Sequence, residues 1–398
     1  MKSPSGRVVP LDGQPFQARF VGVDAGGQWT FAAEGSRRTL PAQTLVRWGR
    51  PAEPARGPVV VLADGGLLPA EPLRIDKGKM IVESDAFGRL RVPLESSAGV
   101  LLAWPTTSTE QDLLVDRLLQ AKGPSDQVLL ANGDQLAGVV AQIDPQKIQL
   151  EIDGQPTNLV RELVTAVVFN PTLRAELRET ASRAWVGLDD GTRLLVNRLL
   201  LEGPSLQLVP AAVDRASPPW STKAQRCVFL QPLGGRAVYL SDRLADDYRH
   251  VPFLDLPWPY HNDRNVLGRR LRASGQTYLK GLGVHSQAQL TYRLNGRFDQ
   301  FETELALDDA TKGGGSVVYH VRVDGRHQFS SEPVRGGDRP VPIRIDLAGA
   351  KQLELIVDFG ERADQLDYAD WLDARLIRSE ASSGKAPAES SQQAEPKP

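Results

Sequence analysis

The chain has 398 residues, of which 41% are hydrophobic and 24% are charged, and its formal net charge is −2. A single hydrophobic core stops growing at roughly 250–300 residues, so the length predicts two or more domains. The nearly balanced charge provides no electrostatic footprint for nucleic acid or for an anionic membrane surface, and we expect neither partner.

Cysteine content and hydropathy narrow the class of protein further. Cys227 is the single cysteine, which excludes an internal disulfide framework and a multi-cysteine metal site. No run reaches the roughly 18 apolar residues that a membrane-spanning helix needs. The first residues, MKSPSGRVVPLDG, lack the apolar stretch of a signal peptide, although the initial Met can stand in place of a leader that has been removed.

Four of the Asp-Gly and Asn-Gly pairs before residue 200 lie in similar surroundings, at irregular spacing. The pairs are Asp12-Gly13, Asp64-Gly65, Asn132-Gly133 and Asp190-Gly191. Each pair is a hairpin signal between short apolar runs, and the uneven spacing favours small units with insertions over a tight solenoid. We therefore predict four small β modules, at residues 1–50, 57–122, 123–183 and 184–246. These strand-turn-strand units loosely resemble small barrels of the SH3 or Sm type.

Two segments between the modules have helical signals. In STEQDLLVDRLLQ, either Ser108 or Thr109 can cap a helix whose leucines share one face. In NPTLRAELRETASRA, Asn170 can act as the cap and Pro171 suits the first helical turn. We predict helical spacers at the ends of the second and third modules.

From about residue 247 onwards, large apolar residues alternate with polar ones. The segments LTYRL, FETELAL, SVVYHVRVDG, IRIDL and LELIVDFG all show this period of two, and DARLIR is a predicted closing strand. Such strands with turns between them predict a β-sandwich, here over residues 247–379. The tail, residues 380–398, cannot bury enough apolar surface and is predicted to be disordered. The predicted fold class is therefore all-β.

The sequence contains none of the common catalytic motifs. There is no G-x-S-x-G elbow, no phosphate-binding loop, no H-E-x-x-H and no dinucleotide fingerprint. Paired carboxylates occur at Asp308-Asp309 and in QLDYADWLD, so a glycosidase with two acids flanking a bond must be considered. Nothing near them in the sequence indicates the apolar shielding that raises one acid's pKa for proton donation. The sequence therefore favours a protein that is not an enzyme.

The segment DYADWLD combines aromatic rings with carboxylates. Sugars present apolar C–H faces and rings of hydroxyl groups, so a sugar site needs an aromatic platform beside groups that form hydrogen bonds. Tyr368 and Trp371 can supply the platform, and Asp367 and Asp370 can bind hydroxyls. The alternative is that the rings anchor the core and that an aspartate caps a loop.

A long stretch around these residues closely resembles the NPCBM family, the novel putative carbohydrate-binding module. It contains PWPYHNDRNVLGRRL, YLKGLGVHSQAQLTYRL, FETELALDDA, SVVYHVRVDG and LDYADWLDARL in this order, over about residues 255–378. The resemblance implies a galactose-binding-like jelly roll that binds glycans without catalysis. Because the family occurs beside glycoside hydrolases and in secreted bacterial proteins, the resemblance also implies a secreted, periplasmic or cell-surface location in a bacterium.

The resemblance also implies particular site residues. One matches the histidine of the family's GVH turn, two match its acidic pair, and four match its closing motif. These candidate ligand-binding residues are His285, Asp308, Asp309, Asp367, Tyr368, Asp370 and Trp371. For His285, two roles stay open: a buried ring that ties loops together, or a group that lines the ligand site.

Two further expectations concern the loops of this module. Jelly rolls of this kind often hold a calcium ion among carboxylates and carbonyls, so Asp308, Asp309 and Asp324 are candidate metal ligands for a structural calcium. Gly281 and Gly283, in the GLG turn, are predicted to adopt positive φ angles that a residue with a Cβ resists.

Taken together, the residues and the resemblance predict a non-catalytic, multidomain protein whose C-terminal module binds a glycan or polysaccharide. Other proteins are predicted partners of the N-terminal modules. Two alternatives stay open. The first is a structural or interaction scaffold in which the sugar site has degenerated, and the second is a glycoside hydrolase.

Overall fold

A computed structural model describes residues 4–24, 26–176, 183–214, 217–253, 257–361 and 363–378. The predicted disordered tail and residues 177–182 of the second predicted spacer lie outside these ranges. Two compact units are present. The first runs to Gly234 and includes Gly268–Arg270 and Gly275–Thr277, and the second contains the other residues from Gly235 onwards. The second unit thus begins before residue 247, the predicted start of the sandwich.

In its described residues, the first unit is built from short strands and one α-helix. The strands of its first half are β1 Ser5–Pro10, β2 Phe16–Val23, β3 Gln28–Ala33, β4 Ser36–Pro41, β5 Leu45–Gly49, β6 Val59–Leu62, β7 Leu67–Pro69, β8 Glu71–Asp76, β9 Lys79–Ser84, β10 Gly88–Pro93 and β11 Ser97–Leu101. There follow α1 Ser108–Leu119, β12 Asp126–Leu130, β13 Gln135–Ile143, β14 Lys147–Ile152, β15 Gln155–Val160, β16 Val164–Val168, β17 Arg183–Leu188, β18 Arg193–Glu202, β19 Ser205–Pro210, β20 Trp220–Lys223 and β21 Cys227–Leu233. Single-turn 3-10 helices lie at Ala42–Thr44, Leu94–Ser96, Arg161–Leu163, Pro171–Leu173 and Ala224–Arg226.

One strand order recurs along this unit. In the sets β1–β5, β12–β16 and β17–β21, four strands pair in sequence and the last strand returns to pair with the first. The set β6–β11 has a similar plan with one more strand, and β11 returns to β6. A single-turn 3-10 helix precedes the last strand of every set. Each set lies in one predicted module, except that the fourth begins at Arg183.

The four turn signals occupy the same place in every set, directly after the first strand. Their glycines, Gly13, Gly65, Gly133 and Gly191, have φ angles of 91°, 84°, 94° and 88°. In three of the turns, the side chain before the glycine accepts a hydrogen bond from the backbone two residues later; the acceptors are Asp64, Asn132 and Asp190. The hairpins predicted from these pairs are confirmed.

Hydrogen-bonded pairing also joins the sets to one another. The last strand of the second set, β11, pairs with the last strand of the third, β16. In the same way β21 of the fourth set pairs with β5 of the first. Because β18 of the fourth set also pairs with β7 of the second, all four sets contribute strands to one continuous sheet, while β8, β9 and β10 form a separate one. The division into separate domains at the predicted boundaries stays a prediction.

The first predicted spacer is a helix, and the second is only one turn long in the described residues. Thr107 caps α1, in place of the predicted Ser108 or Thr109, because its hydroxyl accepts the N–H of Glu110. Asn170 caps the 3-10 turn as expected. The chain then becomes extended at Arg174, whose guanidinium donates hydrogen bonds to two carbonyls at the end of α1. The prediction that a helix continues from Asn170 through Arg174 was therefore wrong.

The second unit is a β-sandwich. Its strands are β22 Ala237–Tyr239, β23 Asp247–His250, β24 His261–Asn262, β25 Leu271–Ala273, β26 Gln276–Tyr278, β27 Gly281–His285, β28 Ala288–Arg293, β29 Phe298–Leu307, β30 Ser316–Val323, β31 Arg326–Ser330, β32 Val334–Arg335, β33 Val341–Asp346, β34 Gln352–Phe359 and β35 Tyr368–Arg378. Single-turn 3-10 helices lie at Leu240–Asp242 and Asp309–Thr311.

Two antiparallel sheets form the sandwich. One has the order β24-β27-β35-β29-β33 with β22 also on β35, and the other has the order β23-β28-β34-β30-β31 with β32 also on β30. The apolar residues of the predicted alternation form the core between the sheets, among them Leu290, Tyr292, Phe301, Leu305, Tyr319, Val321 and Leu355. The all-β prediction is therefore confirmed. Within the described residues, no helix is long and apolar enough to cross a membrane.

The central strand β35 places an ion pair inside the sandwich unit. The guanidinium of Arg375 donates a hydrogen bond to Glu302 on the neighbouring strand β29, and both side chains are buried. Arg344 approaches the other carboxylate oxygen at 2.6 Å from the partly exposed side. Burial of two charges is expensive, so each of the buried partners depends on the other.

We expect Glu302→Ala to lower the free energy of unfolding by about 3–5 kcal/mol, because it leaves the charge of Arg375 buried without its partner. The double variant Glu302→Leu/Arg375→Leu should recover most of this loss, since no unpaired charge is left inside. Chemical denaturation of both variants measures the difference. A double variant as unstable as Glu302→Ala would show that shape complementarity, rather than charge, is what this position requires.

Candidate functional site

The structure places most of the predicted ligand-binding residues inside the second unit. Trp371 is 0% exposed, and its ring packs edge-on against Tyr319, with ring centroids 4.9 Å apart, and near Phe301. A ring in this position has no face open to a sugar. Of the two roles that the sequence left open for Trp371, the structure shows the core anchor.

Asp308 and Asp370 form a buried pair of carboxyl groups. Asp308 accepts hydrogen bonds from the side-chain amide of Asn265 and from the backbone N–H groups of Arg272 and Ala310. Burial, followed by the nearby charge of Asp308, raises the pKa of Asp370 well above its ordinary value. Its neutral form is thus favoured beside Asp308, whose own hydrogen bonds connect this part of the sheet to Asn265, Arg272 and Ala310.

The three predicted calcium ligands do not form a common site. Asp308 is committed to the contacts above, and Asp309 lies in the next 3-10 turn. Asp324 is exposed at the turn between β30 and β31, where its carboxylate accepts the backbone N–H groups of Lys351 and Gln352. Among the residues that the structure describes, no three His, Cys, Asp or Glu side chains are grouped so as to hold a metal ion.

Asp367 is also buried, at the start of β35. Its carboxylate accepts hydrogen bonds from the hydroxyl of Ser286, at 2.5 Å, and from the backbone N–H of Ser316, at 3.0 Å. Burial outweighs these hydrogen bonds and raises the pKa of Asp367 to about 6. Asp367 thus ties the ends of three strands together and does not face the solvent.

The next residue along, Tyr368, belongs to a group of rings at this end of the sandwich. We call His250, Trp258, His285 and Tyr368 the aromatic cluster. The rings of Trp258 and His285 are stacked at 4.8 Å with an angle of 7°, and Tyr368 lies 6.0 Å from His285 and 6.3 Å from Trp258. His250 meets His285 edge-on at 6.1 Å. Two of the predicted residues, His285 and Tyr368, are therefore brought together here.

Backbone pairing fixes the positions of these rings. His285 ends β27 and lies directly opposite Tyr368 on β35. The Nδ1 of His285 and the Nε2 of His250 both lie within hydrogen-bonding distance of the carbonyl oxygen of Ser286. The backbone N–H of Trp258 donates to Nδ1 of His250, which holds the loop so that the indole lies over the buried imidazole of His285. His285 thus both ties loops together and supports the indole.

The two glycines before His285 have different requirements. Gly281 has φ +150°, which confirms its prediction. Gly283 is not in the positive-φ region, so the prediction for this residue was wrong. The cause is space: an added Cβ would lie 2.4 Å from the carbonyl oxygen of Arg264 and 2.5 Å from the backbone of Asn265. The backbone approach requires glycine at this position.

Part of the aromatic cluster is open to solvent. His285 is buried, whereas His250, Trp258 and Tyr368 are half-buried. Burial lowers the pKa values of His250 and His285, so both rings are neutral at pH 7, and the carboxylate of Asp364 lies near enough to oppose the shift. The cluster therefore combines exposed ring surface with one nearby carboxylate.

Two phenylalanine rings are in contact near the aromatic cluster: Phe253 follows β23, and the half-buried Phe359 is the last residue of β34. Phe253 is 58% exposed and meets Phe359 edge-on at 5.9 Å. Strands β23, β28 and β34 bring these rings and the aromatic cluster to the same end of the sandwich, because His250 pairs with Ala288, which pairs with Val357. The rings extend the apolar surface at this end.

Sequence reasoning missed Trp258 as a site residue. It lies in PWPY, between two prolines and outside any alternating segment, so period-two patterns give it no role. An aromatic residue in a proline-rich loop is a signal of its own, because such a loop cannot bury the ring in a regular sheet.

Comparison with known proteins identifies the second unit. Residues 236–377 match the NPCBM/NEW2 domain family, which confirms the resemblance and extends it towards the N-terminus. A putative endo-alpha-N-acetylgalactosaminidase of Renibacterium salmoninarum is 30% identical over 112 residues, which is 28% of this chain. The match spans only 7% of the length of that curated relative.

Two solved structures are also similar to the chain. The CBM51 module of a Clostridium perfringens protein, in complex with methyl-galactose, is 24% identical with a TM-score of 0.32, over 35% of this chain and 99% of that chain. The tandem CBM51 modules of a family 98 glycoside hydrolase from Streptococcus pneumoniae are 11% identical with a TM-score of 0.32, over 64% of this chain and 88% of that chain.

The raised pKa of Asp367 predicts a defined pH dependence. The folded protein binds this proton more tightly than the unfolded chain, so the contribution of Asp367 is most favourable below about pH 4 and is lost as the pH rises through about 6. Asp367→Asn keeps an acceptor for Ser316 and removes the titration. We expect the variant to gain about 2–3 kcal/mol relative to wild type between pH 4 and pH 7.

Chemical denaturation of both proteins at several pH values in this range measures the gain. A stability difference that stays constant with pH would contradict the assignment of a buried, titrating carboxyl to Asp367.

Proposed function

We propose that the second unit binds glycans at the aromatic cluster and does not cleave them. The observation that carries this proposal is the parallel stack of Trp258 on His285. A half-buried indole that is held from below by a buried ring is a rigid platform. The apolar C–H face of a sugar ring packs on such a platform at little cost in side-chain entropy.

Polar groups beside the platform can fix the orientation of a sugar. Tyr368 lies next to both rings of the stack, and Asp364 is the carboxylate whose charge acts on the histidines. Because both imidazoles are neutral at pH 7, the charge beside the platform is negative. This charge favours neutral sugars, whose hydroxyls donate hydrogen bonds to a carboxylate, over uronic or sialic acids.

The placement of the acids supports a non-catalytic function. A glycosidase needs two carboxyl groups that flank the scissile bond. In this unit Asp308, Asp367 and Asp370 are all buried among backbone and side-chain partners, so none is open to a polysaccharide. The acidic motif that suggested a hydrolase is therefore explained by its role in holding strands together.

Glycan recognition also suggests where the protein acts and what the first unit does. Cell-surface and structural glycans lie outside the cytoplasm, so we propose an extracellular, periplasmic or cell-surface location. The modules of the first unit remain proposed contacts for other proteins. An interaction scaffold with a degenerate sugar site is the alternative, and a glycan array separates the two.

The test is a glycan array with the full-length chain, with and without millimolar calcium, followed by calorimetry with the best ligand. We expect Trp258→Ala to weaken binding by at least tenfold, about 1.4 kcal/mol, because the stacking surface is removed. Trp258→Phe, which keeps a ring, should lose less.

Leu244→Ala is the matched control, because Leu244 is an apolar residue of the same unit that is 82% exposed. This variant should bind as wild type does. An array without any signal above background, or unchanged affinity in a folded Trp258→Ala variant, would favour the scaffold.

A further inference from the structure

Two histidines outside the aromatic cluster point at the same oxygen atom. His320 lies on β30 and His327 lies on β31. Nδ1 of His320 is 2.6 Å and Nε2 of His327 is 2.7 Å from the hydroxyl oxygen of Ser330. The two ring centroids are 6.2 Å apart, at an interplanar angle of 60°. Both nitrogens thus converge on one point.

The strand register produces this convergence. His320 lies directly opposite Ser330, and the pairing shifts between Val321 and Arg322 so that Arg322 lies opposite His327. His320 and His327 are therefore not cross-strand partners, yet both rings reach the hydroxyl of Ser330. His327 is exposed and His320 is half-buried, so solvent reaches the pair.

The hydrogen bonds between Ser330 and the two histidines can be replaced by bonds to another ligand. The hydroxyl of Ser330 has a single proton, so it donates to one imidazole and accepts from the N–H of the other. A hydroxyl can leave this position by rotation about one side-chain bond. His250 and His285 are not such a pair. Both of their rings lie beside the carbonyl oxygen of Ser286, which is part of the backbone and cannot rotate out of the way as a hydroxyl can.

We propose that Nδ1 of His320 and Nε2 of His327 bind a divalent transition-metal ion, such as Zn²⁺ or Cu²⁺, in the position now taken by the Ser330 hydroxyl. Imidazole nitrogens bind Zn²⁺ at about 2.0–2.1 Å, so each ring closes towards the ion by about 0.6 Å. Water completes the coordination. Because imidazole suits zinc and copper whereas calcium and magnesium prefer oxygen, the site selects against the latter two.

The surrounding charges are compatible with a cation. Asp358 lies opposite Val318, two residues before His320 on the same strand, and its carboxylate favours positive charge near the His320 ring. Arg322 acts in the opposite direction. Burial lowers the pKa of His320, which keeps this ring neutral and able to bind a metal at pH 7.

The experiment is calorimetric titration of the metal-free, full-length chain with Zn²⁺ and with Cu²⁺, and with Mg²⁺ and Ca²⁺ for comparison. We expect one transition-metal ion per chain, tighter binding of Cu²⁺ than of Zn²⁺, and no saturable binding of the other two. His320→Ala and His327→Ala should each weaken binding by at least about tenfold, since each removes one of two protein ligands.

Two more variants serve as controls. Ser330→Ala should retain binding, because the ion replaces the hydroxyl, and His261→Ala should bind as wild type does. Zn²⁺ should raise the melting temperature of the wild type and of Ser330→Ala but not that of His327→Ala. The proposal is overturned if Zn²⁺ binds His327→Ala as tightly as wild type, if no saturable binding occurs, or if Ser330→Ala loses binding as completely as His327→Ala does.

Discussion

The sandwich unit depends on one constraint: the central strand β35 and the residue before it carry buried ionisable side chains, and each of these must be either paired or neutral. Asp367 accepts hydrogen bonds from Ser286 and Ser316, burial and the charge of Asp308 raise the pKa of Asp370, and Arg375 pairs with Glu302. Each partner lies on a different strand or loop. The acidic closing motif is therefore a set of internal connections that determines which strands lie beside β35.

Because these acids are buried, the candidate binding surface does not lie at the centre of the closing segment DYADWLD. The acids of the motif are buried, and among residues 367–373 only Tyr368 is partly exposed. The platform is supplied by Trp258, from a proline-rich loop, and the buried ring of His285 supports it. Neighbouring residues of this segment thus have different roles: the buried acids hold the strands together, and Tyr368 lies at the candidate binding surface.

The sequence predicted the strands of the sandwich and the four hairpin turns, because alternation and Asp-Gly or Asn-Gly pairs are local signals. It did not predict the burial of Asp370. Alternation indicates that one face of a strand is covered, whereas both faces of β35 are covered: Trp371 lies in the main core, and Leu372 packs with Leu271, Ala273 and Tyr278. Such a second layer depends on contacts distant in sequence, as does the meeting of Trp258 with His285.

The pairing of last strands in the first unit has a practical consequence for any attempt to dissect the protein. Each set contributes β5, β11, β16 or β21 to a neighbour, so a fragment cut at the predicted boundaries would present a bare row of backbone N–H and C=O groups. Exposed strand edges of this kind recruit other chains and promote aggregation. The first unit should therefore be expressed as a whole, although its repeats can be counted in the sequence.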